Sequence, residues 1–388
     1  MTRGEHIRHV AIYKILMLPV RLFVRVFMHF KTAPVPKIAG PYVVLANHNS
    51  DYDVVFVGAA FRRQMYFVAG EHIFRWGFAS KLINWAFGPI SRAKGSTDAS
   101  SAMSILRHIR KGYNICMFAE GNCSYNGLTC PIHPTVGKLL KRSGATLVTY
   151  RMSGVYLFSP RWAHTLRKGP MTGQCVNVYP PEKLKEMTVE QLNAAVRQDL
   201  HEDAFAVQER VMARYRGKRL AEWLETALCI CPKCGGIGTL RSEDDRFSCT
   251  CGFSVRYGEY GFFEGSDLPF RTVTQWDAWQ TGKLAELAAS AGETPLFRDT
   301  DMTLYSIAAD HSETVAAHGD MWMNSEVLAV GERRFALKEL PQLSIVRQCN
   351  MVFSAENEYF EIRGAHPWNA RKYVAVHDDL RCKDASGS

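Results

Sequence analysis

A histidine and an aspartate stand five positions apart in Leu45-Ala-Asn-His-Asn-Ser-Asp-Tyr-Asp53. The run Tyr42-Val-Val-Leu-Ala46 just before them is a short buried-strand pattern, and Asn49, Ser50 and Asp51 are all good helix N-caps. His48 is therefore expected in a strand-to-helix turn, with Asp53 in the first turn of the helix. On one continuous helix the two would diverge; from the turn, the ring can fold back onto the carboxylate. A carboxylate bonded to one ring nitrogen sets the tautomer and stabilises the imidazolium. The other nitrogen is then ready to take a proton from a hydroxyl. A plainer reading makes His48 a turn residue and Asp53 a helix-start charge that matches the macrodipole.

A second group of residues points to metal. Of eleven cysteines, five fall within 229–251. Cys231-Pro-Lys-Cys234-Gly and Cys249-Thr-Cys251-Gly form two knuckles separated by fourteen residues. Four thiolates so spaced suit tetrahedral zinc, and the glycine after each second cysteine permits the tight turn. The pattern resembles a zinc ribbon, with Thr239–Phe247 as its hairpin and Cys229 as a spare that could replace one ligand. Four cysteine ligands close the site, so the zinc is structural. Tight clustering in a long chain also argues for a reducing compartment over a disulfide framework. The acidic run Ser242-Glu-Asp-Asp-Arg246 argues against contact with nucleic-acid phosphates.

The elements that must position these groups alternate. Besides Tyr42–Ala46, strand patterns occur at Asn114–Phe118 and Thr146–Tyr150. Helical spacing runs over Asp98–Arg110, with Ser96, Thr97 and Asp98 as caps, and over Thr135–Arg142, stopped near Gly144. Such alternation predicts an α/β domain with a mostly parallel sheet, whose functional loops leave the carboxyl ends of the strands. Thr188–Leu228 reads as helical and closes this domain, and Trp276–Ala291 as one more helix. Seven short strand patterns then follow between Met302 and Ile362, a separate and mainly β domain. In element order this tail loosely resembles a pleckstrin-homology-like module. The predicted division is 1–39, 40–228, 229–262 and 268–388.

The formal charge is +9, and residues 1–37 hold seven basic residues against Glu5 alone. No apolar run reaches the roughly 20 residues that span a bilayer; Ala11–Phe30 is broken by Lys14, Pro19, Arg21 and Arg25. A signal peptide fits poorly, because Lys14 lies within the would-be apolar core. On a helical wheel Arg3, Lys14, Arg21 and Arg25 share one side. Ile12, Ile15, Leu16, Phe23, Val26, Phe27 and Phe30 share the other, with Arg8 as the exception. This is the pattern of a segment lying among lipid headgroups, kinked or divided at Pro19; the alternative is a helix packed on its own domain.

Gly88-Pro-Ile-Ser-Arg92 follows the histidine block, then Phe118-Ala-Glu-Gly-Asn-Cys-Ser124, then the Leu147–Gly154 strand. Together with Asn47-His-x4-Asp53, this ordered set resembles the glycerolipid (lysophospholipid) acyltransferase superfamily over residues 40–215. The resemblance implies transfer of a fatty acyl group from acyl-CoA or an acyl carrier protein to a lipid hydroxyl such as that of 1-acylglycerol-3-phosphate. It implies His48 and Asp53 as the catalytic pair, Arg92 on the acceptor phosphate, and Glu120 and Gly121 shaping the acceptor site. A guanidinium is the natural bidentate partner of a phosphate; without the family, Arg92 reads as a surface salt bridge. The enzyme is expected to sit peripherally on the cytoplasmic face of the cell membrane.

The chain departs from the family in two places. Cys123 stands where an arginine is usual, and Thr149 and Tyr150 where a proline is. Arg92, Lys94 or Arg151 is then left to meet the phosphate, or the acceptor is another lipid with a free hydroxyl. No base is identifiable beside Cys123 that would make it an acyl-carrying nucleophile. Two readings from other classes compete: a catalytically inactive lipid-binding scaffold, and a zinc-ribbon nucleic-acid-binding protein. The second leaves His48, Asp53, Arg92 and Glu120 unexplained.

Overall fold

The computed structural model describes residues 1–92, 100–266, 268–308 and 310–386, with the side chains of His72 and 382–386 left aside. The expected caps Ser96, Thr97 and Asp98, and Lys94, lie outside the described residues.

Among the described residues the first sheet contains β1 (Phe30–Thr32), β2 (Tyr42–Ala46), β3 (Met65–Gly70), β4 (Ile90–Arg92), β5 (Asn114–Phe118), β6 (Thr146–Ser153) and β7 (Met171–Tyr179). Their order is β1-β7-β6-β2-β5-β3-β4. The β6–β7 pair is antiparallel and the other neighbours are parallel, so the expected mostly parallel α/β sheet is present. All five residues of β2 are buried. Their side chains alternate between two cores, Val44 and Ala46 on one face and Val43 and Leu45 on the other. A strand covered on both faces is uniformly apolar, which is why Tyr42–Ala46 is legible as a strand. Its neighbours are β5 and β6, so the loops leaving β2 and β5 emerge side by side.

Helices cover the sheet: α1 (Arg3–Val26), α2 (Asp53–Ala60), α3 (Phe78–Phe87), α4 (Ser100–Arg110) and α5 (Thr135–Ser143) among them. Helix α1 opens with a capping box between Thr2 and Glu5 and contains Pro19 without being divided by it. It buries His9, Tyr13 and Val24 and leaves Ile15, Leu16, Leu18, Leu22, Phe23, Val26 and Phe27 exposed. The expected two-sided helix differs at two positions. Arg21 turns inward, donating to the carbonyls of Ala59 (2.8 Å) and Phe61 (2.6 Å), which end α2 and lack helical partners. Phe30 belongs to β1 and is buried.

The long helix expected over Thr188–Leu228 is interrupted. Helices span Val189–Leu200 and Ala204–Val211, and Leu224–Thr226 is a short 3-10 turn. Asp203 caps the second helix by accepting from the amides of Phe205 and Ala206. Farther on, the Tyr215 amide donates to the Glu259 carbonyl and Arg216 pairs with Lys168. Long-range backbone pairing there replaces the helix that local propensity favours.

A four-stranded antiparallel unit follows: β8 (Leu240–Glu243), β9 (Arg246–Cys249), β10 (Ser254–Tyr257) and β11 (Phe263–Glu264). The hairpin foreseen between the cysteine knuckles is β8–β9. Helix Val273–Ala289 then leads into an antiparallel sheet of β12 (Phe297–Ile307), β13 (Glu313–Met323), β14 (Val327–Val330), β15 (Arg333–Ala336), β16 (Ser344–Val346), β17 (Asn350–Ala355) and β18 (Glu358–Gly364). Two meanders meet where β12 pairs with β18. A final helix, Arg371–Ser386, packs on Val273–Ala289; its weak amphipathic pattern hides it from sequence reasoning. One apolar core runs through all three sheets.

Candidate active site

His48 sits in the turn between β2 and α2, and Asp53 is the first residue of α2. The helix is capped by Tyr52 without a side-chain bond, not by Asn49, Ser50 or Asp51. Asp53 does that work in reverse: its carboxylate gathers the donors of the turn before it. Oδ2 accepts from His48 Nδ1 (2.9 Å), the Asn49 amide (2.6 Å) and the Ser50 amide (3.1 Å), and Oδ1 accepts from Ser50 Oγ (2.9 Å). The carboxylate is fully buried, whereas the His48 side chain keeps 18% of its surface exposed. With Nδ1 donating to Asp53, Nε2 is the nitrogen turned to chemistry. The imidazole also stacks on Phe118, with centroids 4.3 Å apart and planes 17° from parallel.

The loop leaving β5 is stitched to this turn. Glu120 is 8% exposed and spends both oxygens on backbone amides, Oε1 accepting from His48 (2.6 Å) and Oε2 from Cys130. The Ser124 amide in turn donates to the His48 carbonyl (2.9 Å). Glu120 therefore shapes the site by holding the histidine loop; its carboxylate makes the contacts of a brace, not those of a headgroup ligand. Asn47 completes the frame, its side chain accepting from the Met152 amide (2.8 Å) and donating to the Met152 carbonyl (2.9 Å). It thereby extends the β2–β6 ladder by one rung beyond the end of β2.

Burial pushes the Glu120 carboxyl up from 4.5 to about 8, against the two backbone amides that lower it. The unfolded chain therefore releases this proton before the folded one does, and the group's contribution to stability falls as pH rises from 4.5 to about 8. Glu120→Gln cannot titrate. The stability of wild type relative to this variant is expected to fall across that window, by up to roughly 1 kcal/mol per pH unit. Denaturation midpoints measured from pH 5 to 8 check it, and a constant difference would exclude the assignment.

Arg92 ends β4 and is exposed. Its guanidinium lies along Gly121: a Cβ built there would sit 3.7 Å from Nη1 and 4.0 Å from Nη2. Gly121 has φ of +72°, the left-handed region that glycine enters freely. Arg92, Glu120 and Gly121 are thus brought together with His48 and Asp53. Arg151, a candidate to replace the missing arginine, donates from Nη1 to the His201 carbonyl at 3.3 Å.

Three residues of the site were not singled out from sequence. Phe118 and Asn47 lie inside recognised blocks, where strand-end position was the available signal. Arg161 had no local signal. It donates to the carbonyls of Cys123 (3.3 Å), Ile345 (2.7 Å) and Arg347 (2.9 Å), tying the C-terminal sheet to the active-site loop. The expectation that no base stands near Cys123 is overturned: its Sγ lies 3.1 Å from His48 Nε2 and 3.4 Å from Nδ1. The two residues are 75 positions apart, and only the adjacency of β2 and β5 brings them together.

The cysteine cluster forms as expected. The ligand atoms of Cys231, Cys234, Cys249 and Cys251 all lie within 4.8 Å of one another. The Cys231–Cys251 and Cys234–Cys249 sulfurs are each 3.8 Å apart, the edge, about 3.8 Å, of a tetrahedron built on Zn–S bonds of about 2.3 Å. The donor set fits zinc. Cys229 is buried in the apolar core outside the four.

Residues 25–153 match the family model described as acyltransferase. That match covers a third of the chain, takes in His48, Asp53, Arg92, Glu120 and Gly121, and supports an acyltransferase domain there, as the ordered blocks implied. No curated protein matches the chain. Among solved structures, the 1-acyl-sn-glycerophosphate (LPA) acyltransferase PlsC from Thermotoga maritima is similar over 48% of this chain and 78% of that one, at 15% identity and a TM-score of 0.40.

Proposed function

We propose that the chain transfers a fatty acyl group from acyl-CoA or an acyl carrier protein to the hydroxyl of a lysophospholipid such as 1-acylglycerol-3-phosphate. The observation that carries this is the buried, fully bonded Asp53 carboxylate on His48 Nδ1, at the carboxyl end of the central strand of an acyltransferase-family domain. His48 Nε2 draws the proton from the acceptor hydroxyl as its oxygen attacks the thioester carbonyl. Asp53 stabilises the resulting imidazolium, which returns the proton to the departing thiolate. Positioned general-base help of this kind is worth about 10²–10⁴ in rate.

The exposed guanidinium of Arg92 is the cation we assign to an acceptor phosphate. Arg92→Ala is expected to raise KM for a phosphate-bearing acceptor by about 10–100-fold, the worth of one charge-assisted hydrogen-bond pair, with kcat little changed. Steady-state kinetics on acceptors with and without a phosphate monoester check this, and an equal effect on both would dismiss the assignment.

No described helix is long and apolar enough to cross a membrane. The outward apolar residues of α1 are joined by Phe78, Leu82 and Trp85 of α3, also exposed. The helices pack together, Arg8 Nε donating to the Trp85 carbonyl at 3.1 Å. This surface supports peripheral attachment to a membrane, apolar side chains among acyl chains and Arg25 and Lys14 toward headgroups, and we assign it to the cytoplasmic face of the cell membrane.

The test is labelled acyl-CoA or acyl carrier protein with a panel of lysolipids in anionic vesicles, using wild type and His48→Ala. Product lipid formed by wild type and lost in the variant, with wild type floating with the vesicles, is the expected result. Vesicle binding without turnover on any acceptor or with either donor would replace the enzyme reading with that of a lipid-binding scaffold.

A further inference from the structure

We propose that Cys123 accepts the acyl group first, as a thioester on Sγ, so that transfer runs in two half-reactions through a covalent intermediate. The proposal rests on the reading of His48 and Asp53 as the base and its partner, and adds a nucleophile to it.

The argument begins with the base. Asp53 holds Nδ1, so a direct mechanism needs Nε2 for the acceptor hydroxyl. Cys123 Sγ stands 3.1 Å from that nitrogen. The loop imposes this proximity from both sides. Gly121 turns it through a left-handed φ, the Ser124 amide bonds the His48 carbonyl, and Arg161 Nη1 bonds the Cys123 carbonyl. The same structure that positions the base therefore positions the thiol. Cysteine, histidine and aspartate within bonding reach, in that order, form the arrangement that activates thiol nucleophiles generally.

The chemistry favours the thiol over the acceptor as first proton donor. A thiol's reference pKa of about 8.5 lies roughly two units above that of imidazole, whereas an aliphatic hydroxyl is far less acidic. The thiolate is also the nucleophilic form. Transfer between two thiols exchanges one thioester for another and keeps the acyl group activated for the oxygen nucleophile that follows. Cys123 is 5% exposed, so an acyl group on it is sheltered from bulk water.

In the first half-reaction Nε2 takes the Cys123 proton and the thiolate attacks the donor carbonyl. The new C–S bond forms, the donor C–S bond breaks, and the departing thiolate takes the proton from the imidazolium. In the second, Nε2 takes the acceptor proton and its oxygen attacks the acyl-cysteine carbonyl. Sγ departs and recovers that proton. No oxidant or reductant enters. Similar distances to both ring nitrogens put the sulfur against the imidazole face left open by Phe118. The first proton transfer accordingly includes a turn of the Cys123 side chain toward the ring plane.

The experiment incubates the full chain with labelled palmitoyl-CoA, or with labelled palmitoyl carrier protein if that is the active donor, in the absence of acceptor. The reaction is quenched in acid and the labelled peptide mapped. Expected is close to one label per chain on Cys123, released by neutral hydroxylamine and chased into lipid on addition of lysolipid at no less than the steady-state rate. Cys123→Ala should lose at least about a hundredfold in turnover while keeping its melting temperature and zinc. Cys123→Ser should trap a hydroxylamine-resistant ester or none. Full turnover in Cys123→Ala with an inactive His48→Ala would overturn the covalent step alone. A Cys123 label that is never chased into lipid would overturn it as well. Absence of both label and turnover in wild type, with either donor and every acceptor, would overturn the acyl-transfer reading and this proposal together.

Discussion

Asp53→Asn is expected to lower acyl transfer by about two to four orders of magnitude with little change in KM or in melting temperature. The four bonds received by the carboxylate explain why the loss falls on chemistry and not on folding. If the asparagine carbonyl takes the place of Oδ2, it still accepts from His48 Nδ1 and from the amides of Asn49 and Ser50. The amide nitrogen, in place of Oδ1, donates to Ser50 Oγ, a hydroxyl able to reverse its role. The turn survives and the ring stays held. What disappears is a buried negative charge beside a ring that must become positive during proton transfer. Steady-state kinetics with a thermal melt on the same samples decide it: a variant with more than a tenth of wild-type kcat would remove Asp53 from the mechanism, whereas a large fall in melting temperature would show it to be chiefly structural.

Removal of zinc is expected to unsettle far more than the ribbon. Structural zinc held by four thiolates contributes about 10–16 kcal/mol in small domains. Here the ribbon is not an appendage. The indole of Trp276 donates to the Ile230 carbonyl at 3.0 Å, and Gln280 bridges the Cys229 amide and the Ala227 carbonyl at 2.9 and 2.8 Å. On the other side, Tyr257 of β10 packs edge-on against Trp162, which lies in the core of the catalytic domain. Loss of the metal should thus open apolar surface shared with both neighbours. A chelator, or Cys251→Ser, is expected to lower the melting temperature by about 10 °C or more, several kcal/mol at this size, and to abolish transfer in parallel. Elemental analysis should find one zinc per chain. Protein purified without metal, or unchanged in melting and activity after chelation, would show that the four cysteines do not depend on it.

Much of the catalytic half was legible because its signals are local. A buried parallel strand is apolar throughout, so Tyr42–Ala46 and Asn114–Phe118 stand out, and the turn residues after the first place His48 beside Asp53. The cluster of four cysteines was legible for the same reason, since each knuckle is a contiguous run. The failures are long-range. Helical propensity over Thr188–Leu228 lost to backbone pairing with Lys168 and Glu259, and Arg21 left the expected basic face for the carbonyls that end α2. Strands β1, β3, β4 and β7 escaped notice because short or half-exposed strands carry little periodicity.

By itself, then, the sequence determined the His48–Asp53 pairing, the four-cysteine cluster and the succession of α/β, cysteine-bearing and antiparallel β parts. Each is written in residues close enough for backbone geometry to relate them. Only the tertiary structure decided that Glu120 braces the histidine loop, that Arg161 ties the C-terminal sheet to that loop, and that a thiol rests on the proposed base. These contacts join residues 72, 184 and 75 positions apart. Strand order sets such distances, and strand order follows from burying apolar faces across the whole chain, which no local pattern records.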